Sequence, residues 1–188
     1  SPAAPVQAIA LNTVTSSGVA KRILEAQKLK AAGKTEQAIE LLAAHQGPAD
    51  TLMKARLLRG QNKASEALVL LDKVLSQNPP APFDDLLKIE QALNHITNKN
   101  DALGGAILFK YIQANHLAAL EHIISLTQST SRLGPKTVLK KIPALLELRG
   151  LSPNTRSYLL KTIAGAYQAT GKTTLARETR LESFISEP

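Results

Sequence analysis

Two stretches near the start of the chain carry the same pattern: AKRILEAQKLKAAGKTEQAIELL at 20–42 and ADTLMKARLLRGQNKASEALVLL at 49–71. At a shift of 29 residues, seven positions are identical, and all seven are alanine, leucine or lysine. Within each stretch, apolar residues recur every three or four positions, which is the spacing of one face of an α-helix. Gly33 and Asn62 interrupt that spacing at equivalent points, where a helix stop is expected. Each stretch therefore predicts two helices joined by a tight turn.

The pattern returns at the end of the chain, in YLLKTIAGAYQATGKTTLARETRLESFISEP at 158–188. In all three copies, a small residue in the first helix is followed by a turn residue and then by an alanine in the second helix. These positions are Ala26, Ala55 and Ala164 in the first helix, Gly33, Asn62 and Gly171 at the turn, and Ala38, Ala67 and Ala176 in the second helix. A unit that repeats in this way favours stacked helix pairs.

This skeleton resembles the tetratricopeptide repeat (TPR), a helix–turn–helix unit of about 34 residues. The resemblance implies an all-α fold, a right-handed α-solenoid of about five antiparallel helix pairs. The match covers three units, and the aromatic residue that the family carries early in its unit is absent. Residues 81–150 fit the pattern poorly, although the distance from Ala67 to Ala176 leaves room for about three such periods. A plain helical bundle is the alternative fold.

The first 17 residues differ in composition from the rest of the chain. They place Pro2 and Pro5 among small residues and predict a flexible Pro/Ala-rich arm or linker, with residues 18–188 forming one TPR-like repeat domain. The arm has no basic n-region, so it is not an intact signal peptide. The sequence leaves open whether the chain is a fragment of a longer protein.

Composition excludes several classes of function. The chain has no cysteine, which excludes disulfides, a thiolate zinc site and a cysteine nucleophile. Aromatic residues make up only 3 % and tryptophan is absent, which argues against binding by stacking on bases or sugars. No apolar run is long enough to insert into a membrane. Both the bacterial periplasm and the cytoplasm are compatible, and the cysteine-free chain with its Pro/Ala-rich start leans slightly to the periplasm.

Three features imitate catalytic or metal sites, and a structural explanation suits each better. ATGKTT at 169–174 imitates a phosphate-binding loop, but the position that requires the earlier glycine holds Ala166 and a helix precedes it. The Glu182-Ser183 pair is similar to the catalytic motif of helical-arm lytic transglycosylases, but only five residues follow it. The four histidines, His45, His95, His116 and His122, form no i, i+4 pair. We therefore predict no catalytic residue, no metal and no cofactor, and the chain is not expected to be an enzyme.

The positive charge is the one functional signal in the sequence. Lys and Arg number 23 against 15 Asp and Glu, a formal charge of +8, and the excess concentrates in 21–34 and 132–161. In TPR proteins the first helix of each pair lines the concave face, so the resemblance places a basic groove there. The predicted partner-binding residues at inner positions of the first helices are Gln27, Lys30, Arg56 and Arg59, and Lys161 is expected near the same face. The basic stretch 132–161 adds Lys140, Lys141 and Arg156. The asparagines of the family's carboxylate clamp are missing at the matching places.

These observations favour a non-catalytic protein–protein interaction scaffold that binds an acidic peptide or partner protein in the basic groove. One alternative is a helical protein that binds nucleic acid through phosphate contacts. Another is the helical, non-catalytic arm of a larger cell-envelope enzyme or assembly. Near the end of the chain, Leu181, Phe184 and Ile185 are expected to cap the stack or, less favourably, to form a dimer contact. The sequence does not indicate the oligomeric state.

Overall fold

The computed structural model describes residues 17–187. The first part of that range forms helices α1 (Ser17–Ala31), α2 (Thr35–Ala43), α3 (Pro48–Gly60), α4 (Ala64–Leu75), α5 (Phe83–Thr97) and α6 (Asp101–Gln113). The second part forms α7 (Leu117–Leu120), α8 (Ile123–Arg132), α9 (Pro135–Lys141), a 3-10 helix (Ile142–Glu147), α10 (Pro153–Ala169) and α11 (Thr173–Ser186). The described part of the chain contains no strand. The predicted arm, 1–17, lies outside the described residues except for Ser17, where α1 begins.

The chain divides into two compact units, and the division falls within α6, between Ile107 and Leu108. The expectation that 18–188 forms one domain stays a prediction. In the first unit, α1 packs on α2 and α3 packs on α4, which are the two helix pairs expected from the aligned stretches. Helix α2 also contacts α3, and α4 contacts α5. The first helices contact each other in turn, α1 with α3 and α3 with α5. Each second helix thus lies between the first helices of two successive pairs.

The turns between paired helices have the geometry that the sequence predicted. Gly33 and Asn62 have φ angles of +77° and +60°, the left-handed conformation that ends a helix. Lys99, between α5 and α6, has φ +65°. After each of these residues, the next amide nitrogen donates to the carbonyl oxygen five positions earlier at 2.8 Å. This 6→1 bond is the mark of a Schellman turn, and it reverses the chain in the same way three times.

The small residues of the repeat lie where the helices approach each other. Ala26 and Ala55 in the first helices, and Ala38 and Ala67 in the second helices, are all fully buried at 0 % exposure. A methyl group is therefore the largest side chain that the closest helix crossings accommodate without a shift of backbone.

The third helix pair repeats this arrangement at a shift of 37 residues, which places Ala92 and Gly104 at the positions of Ala55 and Ala67. Ala92 is 0 % exposed. A Cβ on Gly104 would lie 2.6 Å from the carbonyl oxygen of Ala92, so α6 comes too close to α5 even for alanine. Residues 81–150 therefore begin with a repeat unit that the search at fixed spacing missed. The proline-rich loop at 79–82 lengthens the period, and lysine stands at the turn position.

The second unit contains the fourth and fifth helix pairs. Helix α8 packs on α9, α9 and the 3-10 helix pack on α10, and α10 packs on α11. Between α8 and α9, Gly134 has a φ angle of +112°. Between α10 and α11, Gly171 has a φ angle of +79°. Ala164 and Ala176 are 0 % exposed, as the third copy of the pattern predicted. In chain order, α7 precedes α8 and the 3-10 helix follows α9. With the packed helices α8 and α9 counted as the fourth pair, the described residues contain five helix pairs.

Candidate functional site

The four predicted binding residues of the first unit lie on the first helices of the first two pairs. Gln27 and Lys30 of α1 are exposed, whereas Arg56 and Arg59 of α3 are half-buried. In α1, Leu24 lies three residues before Gln27 and is also exposed, at 55 %. Residues three apart on a helix share a face. Leu24, Gln27 and Lys30, which we call the α1 surface, therefore combine an apolar, an amide and a cationic side chain.

Arg59 has an intramolecular partner. Its Nε donates to Oε1 of Glu90 at 2.8 Å, and the Glu90 side chain is only 2 % exposed. The guanidinium neutralises a buried carboxylate on α5, so Arg59 links two successive first helices. Its charge is thus in part committed to the fold, which the groove hypothesis did not anticipate.

A second buried carboxylate joins the preceding two first helices. Arg22 of α1 donates from Nε and Nη2 to the two carboxylate oxygens of Asp50 at 2.8 and 3.0 Å. Asp50, at the start of α3, is 2 % exposed. The hydrogen bond to Asp50 is the main cause that raises the pKa of the Arg22 guanidinium above its ordinary value. Sequence reasoning missed both ion pairs because their members lie 28 and 31 residues apart on different helices.

The repeat register explains why Lys30 differs from Arg59. At the shift of 29 residues, Lys30 is equivalent to Arg59. At the shift of 37 residues, Met53 is equivalent to Glu90. Helix α5 presents the buried carboxylate of Glu90 to α3. At the equivalent position, α3 presents the thioether of Met53 to α1. Lys30 is therefore an exposed cation, whereas Arg59, at the equivalent position of the next helix pair, forms an ion pair with a carboxylate of the chain.

In the second unit, two of the four predicted residues contact acidic groups in α11 or directly after it. Arg156 Nη2 lies 3.3 Å from Oε1 of Glu182, and its Nη1 donates to the carbonyl oxygen of Leu146 at 3.3 Å. The Lys161 ammonium donates to Oε1 of Glu187. These pairs are at the surface, so part of the positive charge of 132–161 is balanced within the chain. The Glu182 carboxylate thus serves as a partner of arginine at the surface.

The other two predicted residues of this unit lie at the end of α9. Lys140 is exposed. Lys141 is half-buried, and its ammonium lies 5.7 Å from the centroid of the Phe109 ring, within the range of a cation–π contact. A cation that rests on an aromatic face is held in place, so Lys140 is the more accessible of the two.

The apolar residues of α11 do not cap the helix stack by burial. Leu181, Phe184 and Ile185 are 62 %, 73 % and 74 % exposed. Ala176 and Ser183 are the buried positions of this helix, at 0 % and 2 %. They lie seven residues apart, two helical turns, and so define its inner face. The three large residues fall outside that face.

The stretch that imitates a phosphate-binding loop connects two helices. ATGKTT at 169–174 joins the end of α10 to the start of α11 through the turn at Gly171, so a helix precedes it. Within residues 17–187, no group of three or more histidine, aspartate or glutamate side chains could hold a metal ion. Over the same range, no helix is both long and apolar enough to cross a membrane.

Two crystal structures are similar to this chain along most of its length. One contains the nearly identical TPR-like repeats of a Podosopora anserina protein described as a kinesin light chain, with a TM-score of 0.66 and 18 % identity, covering 88 % of this chain and 93 % of that one. The other is a single-substitution variant of the same protein, with a TM-score of 0.65 and 18 % identity over 88 % of this chain and 92 % of that one. No protein-family profile and no curated protein sequence matches the chain. The structural likeness shows a TPR-like helical-repeat fold, which confirms the predicted fold class.

Proposed function

We propose that this TPR-like chain is a non-catalytic scaffold that binds an acidic peptide or protein segment, with the α1 surface as its primary contact. The TPR-like fold is commonly a protein-interaction scaffold. The observation that carries the proposal is the exposed Lys30 at the repeat position where Arg59 is used internally. A cation in this position attracts a carboxylate without loss of a contact inside the protein.

The neighbouring side chains support a peptide as the ligand. Leu24 offers an apolar contact at 55 % exposure, and Gln27 offers an amide that can pair with a peptide backbone. An acidic, amphipathic segment combines the groups that complement these side chains. Arg56, Lys140 and Lys141 stay secondary candidates for partner binding, and Arg59, Arg156 and Lys161 would have to share their charge with carboxylates of the chain.

The test is a charge reversal on the α1 surface, Lys30→Glu. Short fluorescent peptides of graded net charge are titrated against the wild type and the variant, and fluorescence anisotropy measures the affinity. We expect the acidic peptides to bind saturably and the variant to weaken them about tenfold, because attraction becomes repulsion. Lys136→Glu is the matched control, since it reverses the charge of an exposed lysine on α9.

Arg59→Glu is unsuitable for this test because it would place a second carboxylate beside the buried Glu90. Equal affinity of the wild type and Lys30→Glu for every peptide would overturn the α1 surface as the site. A single-stranded oligonucleotide of matched charge serves as the competing ligand. If it binds with a steep salt dependence while the peptides do not bind, the chain is a nucleic-acid-binding protein.

A further inference from the structure

A cleft on the first unit has positive and polar side chains in its lining and includes no residue of the α1 surface. It opens between the connection from α2 to α3, the start of α3, and α4, and its volume is about 180 Å³. Ligand pockets for drug-sized molecules occupy roughly 300 Å³ or more, so this cleft suits a small chemical group. Its polar lining consists of His45, Gln46, Thr51, Lys54, Lys73 and Gln77.

The charge of the lining is one-sided. Two lysines supply the charged groups of the cleft. The other lining residues are a histidine, two glutamines, a threonine, an alanine, a leucine and a valine, so no carboxylate takes part. Among the described residues, neither Lys54 nor Lys73 forms an ion pair with an acidic side chain, in contrast to Arg22 and Arg59 of the same unit. The two ammonium groups therefore bring uncompensated charge to one concave site.

The lysines are also positioned by the fold. Lys73 is exposed, and its Nζ donates to Oε1 of Gln46 at 3.2 Å, which directs the end of its side chain to the connection between α2 and α3. Lys54 is half-buried and extends from α3, one turn after the buried Thr51. A cation that is already held in place loses less side-chain entropy when it binds an anion.

We propose that this cleft binds a phosphate group, with Lys54 and Lys73 as its charge partners and His45, Gln46 and Gln77 as hydrogen-bond donors. The cleft has no arginine, so its cations act as compact point charges and not as a planar fork. Lysine binds phosphate as a point charge, and two lysines match a dianion. The phosphate is borne either by a small metabolite or by a phosphorylated side chain of a partner, since both present the same oxygens.

The experiment is a titration of the full chain with inorganic phosphate and with a phosphoserine peptide, followed by amide chemical shifts in NMR. We expect shifts confined to residues 43–54 and 70–77 and saturable with both ligands. The variant Lys54→Gln with Lys73→Gln should lose about tenfold or more in affinity, because the charge partners are gone. Lys88→Gln, which removes an exposed lysine on α5 outside the cleft, should leave the affinity unchanged.

Each outcome decides the proposal. Shifts that spread evenly over the basic surface, or that persist in the double variant while circular dichroism shows intact helices, would overturn it. If the double variant does not fold, the single variants Lys54→Gln and Lys73→Gln take its place, and each should weaken binding by itself. Tighter binding of the phosphoserine peptide than of inorganic phosphate would assign the phosphate to a partner protein, and equal binding would assign it to a small molecule. Because Lys30 takes no part, failure here is separate from failure of the α1 surface.

Discussion

The two units of the chain use ion pairs in different ways. In the first unit, Arg22 with Asp50 and Arg59 with Glu90 connect the first helices of successive pairs, and both carboxylates are 2 % exposed. In the second unit, Arg156 with Glu182 connects the two helices of one pair, and both side chains are more than one-third exposed. A buried carboxylate needs its partner because water cannot replace it, whereas a surface carboxylate has water as an alternative. Breaking one of these buried pairs in the first unit should therefore cost more stability than breaking the Arg156–Glu182 pair of the second.

Removing one guanidinium should give the largest effect. Arg22→Ala leaves the Asp50 carboxylate buried without its cation, and we expect a loss of about 3 kcal/mol in the free energy of unfolding. Urea unfolding followed by circular dichroism measures it. Arg156→Ala in the second unit should lower the free energy of unfolding by only about 0.5 kcal/mol.

A double substitution separates charge from packing in this comparison. Arg22→Met combined with Asp50→Leu replaces the pair by apolar groups and should recover most of the lost stability. If Arg22→Ala and Arg156→Ala have equal effects, burial of the carboxylate does not matter and the contrast between the units is wrong.

Two helix glycines offer a second contrast between the units. Replacing them by alanine should change the free energy of unfolding in opposite directions. Gly104 in α6 has a backbone oxygen 2.6 Å from the position of a new Cβ, whereas Gly165 in α10 has nothing within 4 Å. Gly104→Ala should destabilise the protein by about 2 kcal/mol because helices must move apart. Gly165→Ala should stabilise it by about 1 kcal/mol, the gain in helix propensity.

Thermal or urea unfolding of the two alanine variants measures whether the first is less stable and the second more stable than the wild type. Gly104→Ser serves as a further control, because its Cβ meets the same oxygen and should be no better tolerated than alanine. A stabilised Gly104→Ala variant would mean that α5 and α6 are not as close as the structure has them.

Sequence alone predicted the parts of this fold that depend on residue identity at fixed spacing. Gly33, Asn62 and Gly171 could be recognised because few other residues adopt a positive φ readily. Lys99 adopts the same conformation without such a signal, so the sequence left room for the third pair but did not show how it matches the repeat. The glycine of that pair, Gly104, was present in the sequence at the position of Ala67, and a search that allowed a variable period would have found it.

The candidate site was harder to predict because it depends on which charges are used internally. Lys30 and Arg59 are equivalent in the repeat, and nothing in their local sequence distinguishes them. The difference comes from Met53 and Glu90 on the following helices. Likewise, Lys54 and Lys73 belong to different helices and share a cleft only after α3 and α4 have packed.

The smallest expected effect concerns the surface pair of the second unit. The hydrogen bond from Lys161 is the main cause that lowers the pKa of the Glu187 carboxyl below its ordinary value, and the charge of Lys161 acts in the same direction. A lowered pKa means that the pair stabilises the folded chain at pH values above the ordinary glutamate value of about 4.5. That contribution declines as the pH falls below this value and is lost once the pH passes the lowered pKa.

Carboxyl NMR titration of Glu187 measures the pKa directly. Lys161→Met should raise it towards the ordinary value, while the hydroxyl of Ser157, 3.3 Å from Oε1, still lowers it slightly. Added salt should weaken the shift in the wild type, because the pair is exposed to solvent. Lys172→Met removes an exposed lysine at the opposite end of α11 and is the control. If Lys161→Met does not change the pKa of Glu187, the two side chains do not pair in solution. The surface side of the comparison between the units would then rest on the Arg156–Glu182 pair.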